Sequence, residues 1–415
     1  MEIYVGIDVG AESHSIHMVD EQRRPVAEDL RITNDAEGFS TLRRKLLELE
    51  GRYGNCSFSI GMEATGHYWR NLFHFLNRSR QDPEPELGLD LRVSLLNPCS
   101  LKKFWELMLE RVKTDRTDAR SIAHYMAVMR PKPTTPRDKE LEELRDLCRF
   151  RRGRIREQTR LKNRLHKGIM EVFPEYRGLF RDITCKSSLA VLKRYPTPEE
   201  ILKAPLEELS SLSYGKRNHK LGREKASALK RAAERSVGAK GGEAVRYTLQ
   251  CLAEDLERIG ERIEGIEAKI VELYRKVEPN KLPTIPGINE VSAAVITTEI
   301  GDIARFPSAK ELNGYVGIYP ELRESGKQRS SRPRMTKKGN KYLRQTLFLC
   351  TLSAIYKNPL IRAHYERQRS QGKDKMVAVG SCMRKMVHLI YGILKTGREF
   401  DPEYEAKRSQ RGKGR

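Results

Sequence analysis

The sequence predicts a multidomain chain of α/β plus α class: one α/β layer domain first, then a chain that is almost wholly helical. Three observations carry this. Apolar residues alternate in short runs through Ile3, Val5 and Ile7, then Ser15 to Val19, Val26 to Ile32, Phe58 to Met62 and Leu91 to Leu96, the period of half-buried strands. After residue 140 the apolar step changes to three and four, the period of helices. Between the two regimes Pro131, Pro133 and Pro136 mark a linker. At 415 residues, 38% apolar and 33% charged, the chain has room for two or three domains joined by solvated helices.

In the first region, Gly10 ends the opening strand, and Asn34 and Asp35 can cap a helix carrying Phe39, Leu42, Leu46 and Leu47. The fourth run ends at Glu63 and turns through Gly66. The fifth ends at Asn97 and Pro98, and a helix with Phe104, Trp105 and Leu107 follows. Three strands in meander, then alternating helices and strands, is the ribonuclease H order of elements, and it places the domain at 1–128.

Strand ends are where such sheets put chemistry. Asp8 ends the first strand in G-I-D-V-G and Glu63 ends the fourth in G-M-E-A-T-G. The stretch Lys113–Arg120, K-T-D-R-T-D-A-R, adds Asp115 and Asp118 at i,i+3, one face of a helix. Two adjacent carboxylates need a cation between them. Arg116 or Lys113 could supply it, and so could Mg²⁺, which selects hard oxygen ligands; the stretch by itself leaves both open. Four acids at element ends fit a two-metal phosphodiester site, with Mn²⁺ as the other ion such ligands accept. Sugar kinases and actin-like ATPases also open with G-I-D-x-G, but they need a second Asp-x-Gly phosphate loop that this chain lacks.

The net charge of +23 and pI near 9.7 point to a polyanionic partner. Leu141 to Val172 reads as one helix, with ten Lys/Arg against two acids between Arg145 and Lys167. Such an excess repels itself without a polyanion nearby, so Arg149, Arg151, Arg152, Arg154, Arg156, Arg160, Lys162 and Arg164 are expected to bind nucleic acid. From Leu249 through Leu256, Ile263, Ile270 and Val277 a seam steps by three and four, a coiled-coil pattern. Its partner is the basic helix folded back antiparallel, another subunit, or both. Central helices thus occupy 129–280; within them 185–240 carries no chemistry that can be named. The C-terminal domain, 281–400, starts with P-G-I, similar to a helix-hairpin-helix, although Asn289 stands where a second glycine is usual. A loop runs from Gly314 to Arg334, and the stretch from Glu321 to Arg344, closing with T-K-K-G-N-K-Y-L-R, holds nine Lys/Arg and two acids. Lys327, Arg332, Arg334, Lys337 and Lys338 are its nucleic-acid candidates. Two helices follow, Tyr342 to Tyr356 and Met376 to Leu394, and 401–415 is a basic tail. Seven scattered cysteines never fall in C-x-x-C spacing, which argues against zinc and disulfides and for a reducing cytoplasm. No run of eighteen apolar residues suggests a membrane span.

The ordered set G-I-D, G-M-E-A-T-G and K-T-D-R-T-D-A resembles the N-terminal domain of the Piv-like DEDD insertion-sequence transposases. R-L-K-N-R-L, P-G-I, S-G-K, T-K-K-G-N and L-K-T-G-R extend the resemblance in order over nearly the whole chain. It implies a RuvC-like, RNase H-like domain, central coiled-coil helices and a mostly helical C-terminal transposase domain. It further implies a DEDD set of Asp8, Glu63, Asp115 and Asp118 on Mg²⁺, a nucleophilic serine at Ser325 (Ser330 and Ser331 stand close by), and strand exchange on double-stranded DNA. A structured non-coding guide RNA and a homo-oligomer, dimer or tetramer, are implied as partners. The rival readings are a RuvC-type junction resolvase, which needs the acids and no serine, and a non-catalytic packaging protein, which needs neither.

Overall fold

The structure, a computed structural model, describes residues 1–64, 66–78, 89–108, 115–239, 241–321, 324–325, 328–329 and 334–403. They fall into two units, Met1–Arg137 and Asp138–Arg415.

In the first unit, β1 (Glu2–Val9), β2 (Ser13–Val19), β3 (Leu30–Thr33), β4 (Ser57–Glu63) and β5 (Asp90–Leu96) form one sheet in the order β3-β2-β1-β4-β5. The first three are antiparallel neighbours, whereas β1, β4 and β5 run parallel. This mixed α/β sheet is consistent with an RNase H-like domain. Period-two alternation splits β1 between the faces. Ile3, Val5 and Ile7 join Phe58, Ile60 and Met62 in a core with α1 (Ala36–Tyr53) and α2 (Trp69–Arg78). Tyr4 faces the other way, into a smaller core with α3 (Pro98–Met108) and Ile122, Ala123 and Met126 of α4 (Asp115–Met129). Asp35 caps α1 as the sequence suggests, accepting from the Gly38 N–H at 2.8 Å. The proline linker belongs to this unit: the Thr134 N–H donates to the Val93 carbonyl at 2.8 Å and its hydroxyl accepts from the Leu95 N–H at 2.9 Å. These bonds satisfy the edge of β5 and carry the unit to residue 137, beyond the expected 128.

The second unit is built on two long helices, α5 (Lys139–Val172) and α10 (Glu243–Val277). They are antiparallel: Gly168 packs on Leu249, Gly260 lies near Gln158, and Arg151 pairs with Glu267. The seam partner is therefore the basic helix of the same chain. Two cores grow from the ends of this pair. Leu165, Ile169, Leu249 and Leu256 bury against α6 (Lys186–Arg194), α7 (Pro198–Lys203), α8 (Leu206–Ser211) and α9 (Arg223–Glu234), with the two-residue strands β6 (Ser213–Tyr214) and β7 (His219–Lys220) between the last two helices. Residues 185–239, chemically mute in the sequence, are thus the cap on one end of the pair.

At the other end Leu144, Cys148, Ile270 and Tyr274 join a core with α11 (Glu290–Ile300), α12 (Ala309–Val316), α13 (Lys341–Lys357), α14 (Pro359–Ser370) and α15 (Lys375–Thr396). Two short ladders, β8 (Pro320–Glu321) with β11 (Arg334–Met335) and β9 (Glu324–Ser325) with β10 (Gln328–Arg329), lie between α12 and α13. The helix-hairpin-helix expectation changes here. A 3-10 turn at Leu282–Thr284 precedes α11, and a β-carbon on Gly287 would lie 2.8 Å from the Ala354 backbone. The glycine turn packs inward on α13, and Asn289 is the N-cap of α11, accepting from Ser292 N–H at 2.9 Å. By length and composition α15 could cross a membrane, but Ala378, Cys382, Met383, Met386, Val387 and Ile390 bury in this core.

Candidate active site and nucleic-acid interface

Both acid motifs carry a glycine two residues before the acid, and the structure shows why. A β-carbon on Gly6 would lie 2.1 Å from the Ala119 carbonyl oxygen and 2.2 Å from the Ala123 nitrogen; one on Gly61 would lie 2.6 Å from Met126. The two glycines let α4 settle directly on β1 and β4. Asp8 and Glu63, two positions further on, share the face that α4 covers. The parallel register pairs Ile7 with Met62, so the next position sets Asp8 beside Glu63, with strand axes about 5 Å apart. Helix direction completes the placement. Met126, near the end of α4, shares a core with Tyr4 near the start of β1, while Ala119 sits over Gly6. The helix therefore runs against β1, and its first turn, with Asp115 and Asp118, comes to the end of the strands that holds Asp8 and Glu63.

Asp8, Glu63 and Asp118 are each half-buried. For Asp115 and Arg116 only the backbone is described, and Lys113 lies outside the described residues. Among the described residues no group of three His, Cys, Asp or Glu side chains could hold a metal ion. The donor chemistry, carboxylate oxygens at one sheet end, nevertheless fits a hard divalent cation. Sequence reading missed a neighbour: Ser15 of β2 pairs in register with Asp8, so its side chain shares that face. Two positions on, His17 Nδ1 meets Asp29 at 2.5 Å. The signal was available, since an antiparallel hairpin partner of Asp8 had to lie near Ser15.

Ser325 is the last residue of β9 and pairs with Gln328, so residues 326 and 327 separate the two strands. Its side chain, like that of Arg334, is not described, and Lys327, Arg332, Ser330 and Ser331 lie outside the described residues. Lys337 and Lys338 are exposed.

The expected cationic face of α5 divides in two. Arg149 makes a two-pronged ion pair with buried Glu299, Nε to Oε1 at 2.7 Å and Nη2 to Oε2 at 2.9 Å. Arg151 donates to Glu267 at 2.8 Å, and Arg152 donates to Gln345 at 2.7 Å while lying over the Tyr342 ring. These arginines are engaged within the unit. Arg154 pairs with Glu157 one turn on, and Lys162 is half-buried. Arg156, Arg160 and Arg164, one turn apart, are exposed on the span between the two cores.

Carboxylates at one end of an α/β sheet, together with a cationic long helix, are a combination that suits nucleic-acid processing. Comparison with known proteins makes this specific. A family model described as a transposase, the DEDD domain of IS110, matches residues 5–174. A second, described as transposase of the IS116/IS110/IS902 family, matches residues 280–366. The chain belongs to the IS110/IS116 transposase family. An uncharacterized 43.6 kDa protein of insertion element IS110 from Streptomyces coelicolor is 26% identical, covering 97% of this chain and 96% of its own. The pilin gene-inverting protein of Moraxella bovis is 22% identical over 96% and 97% of the two chains. The transposase for insertion sequence element IS1328 of Yersinia enterocolitica is 25% identical over 83% and 82%.

Proposed function

We propose that this transposase cuts and rejoins DNA at insertion-element junctions through a serine–phosphate intermediate, with Asp8, Glu63, Asp115 and Asp118 as metal ligands. The observation that carries the reading is the common face of Asp8 and Glu63 under the first turn of α4. The relatives' names, a transposase and a pilin gene-inverting protein, agree with DNA rearrangement as the outcome. Two Mg²⁺ ions, or Mn²⁺ in their place, would supply charge stabilisation to a phosphate under attack when bound there.

The remaining chemistry belongs to the chain. The Ser325 oxygen attacks phosphorus; a serine O–P bond forms, one P–O bond to deoxyribose breaks, and the released sugar hydroxyl takes up a proton as the serine gives one to solvent or a nearby base. The ester keeps the energy of the broken bond, so a second sugar hydroxyl reverses the step and joins new ends. Arg156, Arg160 and Arg164 supply backbone contacts to a nucleic acid, and a structured non-coding RNA pairing with donor and target DNA supplies sequence choice. Cytoplasmic location and a dimer or tetramer complete the reading.

Single-turnover cleavage of junction DNA with Ser325→Ala and Asp118→Asn tests it. Both variants lose strand exchange by at least about 100-fold, a loss of roughly 2.7 kcal/mol of transition-state stabilisation. Wild-type cleavage by Ser325→Ala, with hydrolytic ends, would favour a resolvase-like nuclease.

A further inference from the structure

Glu299, at the end of α11, is a carboxylate with 1% of its side chain exposed. Besides Arg149 it receives Arg145 Nη2 at 3.4 Å and Asn340 Nδ2 at 2.8 Å. Burying a carboxylate against two half-buried guanidiniums is costly, and an apolar cluster of the same volume is often as stable, so the arrangement calls for another role.

Its connections supply one. Asn340 Nδ2 also reaches Tyr315 Oη at 3.2 Å, the Tyr315 hydroxyl donates to the Glu299 carbonyl at 3.0 Å, and the Asn340 N–H donates to the Tyr315 carbonyl at 2.8 Å. Asn340 Oδ1 meanwhile caps α13, accepting from Tyr342 and Leu343 N–H at 3.0 and 3.1 Å. The Tyr342 ring then takes the guanidiniums of both Arg149 and Arg152, 4.5 and 4.3 Å from its centre. Gly317 and Gly339 cross so closely that a β-carbon on Gly339 would sit 2.6 Å from the Gly317 nitrogen. Tyr315 and Gly317 precede the loop; Gly339 and Asn340 follow it. Just above these feet the Thr336 N–H donates to the Tyr319 carbonyl at 3.1 Å.

We propose that Glu299 and Asn340 are positioning residues that fasten both feet of the 319–336 loop, the loop carrying Ser325, to the basic helix α5 through Arg145 and Arg149. Arg156 follows Arg149 by two turns, about 10 Å along the same helix. A nucleic acid lying on the exposed arginines is thereby held at a set distance from the loop. The inference rests on the Ser325 reading for what the loop does, not for how it is held.

The test uses the full chain and Asn340→Ser, which keeps an N-capping side chain and removes the amide donor to Glu299. The expected result is a native melting profile, a Kd for junction DNA within twofold of wild type, and a saturating single-turnover cleavage rate reduced at least tenfold. Tyr315→Phe, which removes only a hydroxyl, gives a smaller drop in the same rate and stands in if Asn340→Ser does not fold. A wild-type rate in the folded variants overturns the proposal, and so does a loss confined to Kd, which marks a binding residue. Total cut DNA and protease-sensitive adduct are scored separately. Cutting without adduct in the wild type counts against the serine reading alone, while total cutting by Asn340→Ser still judges the positioning role.

Discussion

Gly6→Ala places a methyl 2.1 Å from the Ala119 carbonyl, within backbone that cannot yield without moving α4. The expected cost is about 1–3 kcal/mol, read by urea unfolding, together with loss of cleavage because the helix bearing Asp118 is displaced. Glu299→Gln leaves the half-buried Arg145 and Arg149 without their counter-charge and costs about 1–3 kcal/mol at neutral pH. That cost depends on pH in a defined direction. Burial alone would raise the Glu299 carboxyl, but the Arg149 hydrogen bond, the Arg145 and Arg149 charges and Asn340 outweigh it and hold the group below its ordinary 4.5. A depressed carboxylate contributes stability above its unfolded-state pKa and loses it as pH falls through its folded-state value. The stability gap between wild type and Glu299→Gln is therefore constant from pH 7 to about 5 and narrows below about 4.5.

At the scale of elements, the divided face of α5 gives a quantitative expectation. Replacing Arg156, Arg160 and Arg164 together by alanine leaves thermal unfolding nearly unchanged, since all three are exposed. It lowers the salt dependence of binding by about 2.7 in the slope of log K against log salt for duplex DNA, or about 2.1 for a single strand. Arg149→Ala acts oppositely, through stability.

What was legible in the sequence follows from how local each cause is. The alternation of Ile3, Val5 and Ile7 and the cap at Asp35 are decided within a few residues, and β1 and α1 were readable from them. The third strand was expected from Val26, but the chain bridges Val19 to Pro25 and pairing with β2 resumes only at Leu30. The helix α2 has no capping signal, and α14 was hidden because its N-cap Asn358 and first-turn Pro359 read as a break after Tyr356. The Glu299 cluster was invisible because it joins residues 154, 150 and 41 positions apart. The acids were found as types, but the role of Gly6 and Gly61 in admitting α4 needed the sheet register.

At the scale of the whole chain, the two family matches bracket the acid domain with the first long helix at one end and the serine loop at the other. The acids and Ser325 belong to different units of this chain, so the proposed strand exchange would draw on both. In the proposed reaction Ser325 becomes esterified to DNA. The direct measurement traps wild-type protein on labelled junction DNA with Mg²⁺, digests the adduct with protease and locates the nucleotide by peptide mass spectrometry. The expected result is a nucleotide on Ser325, absent in Ser325→Ala and in Asp118→Asn. Cut DNA with no protein attached, or a nucleotide on Ser330 or Ser331, would contradict it.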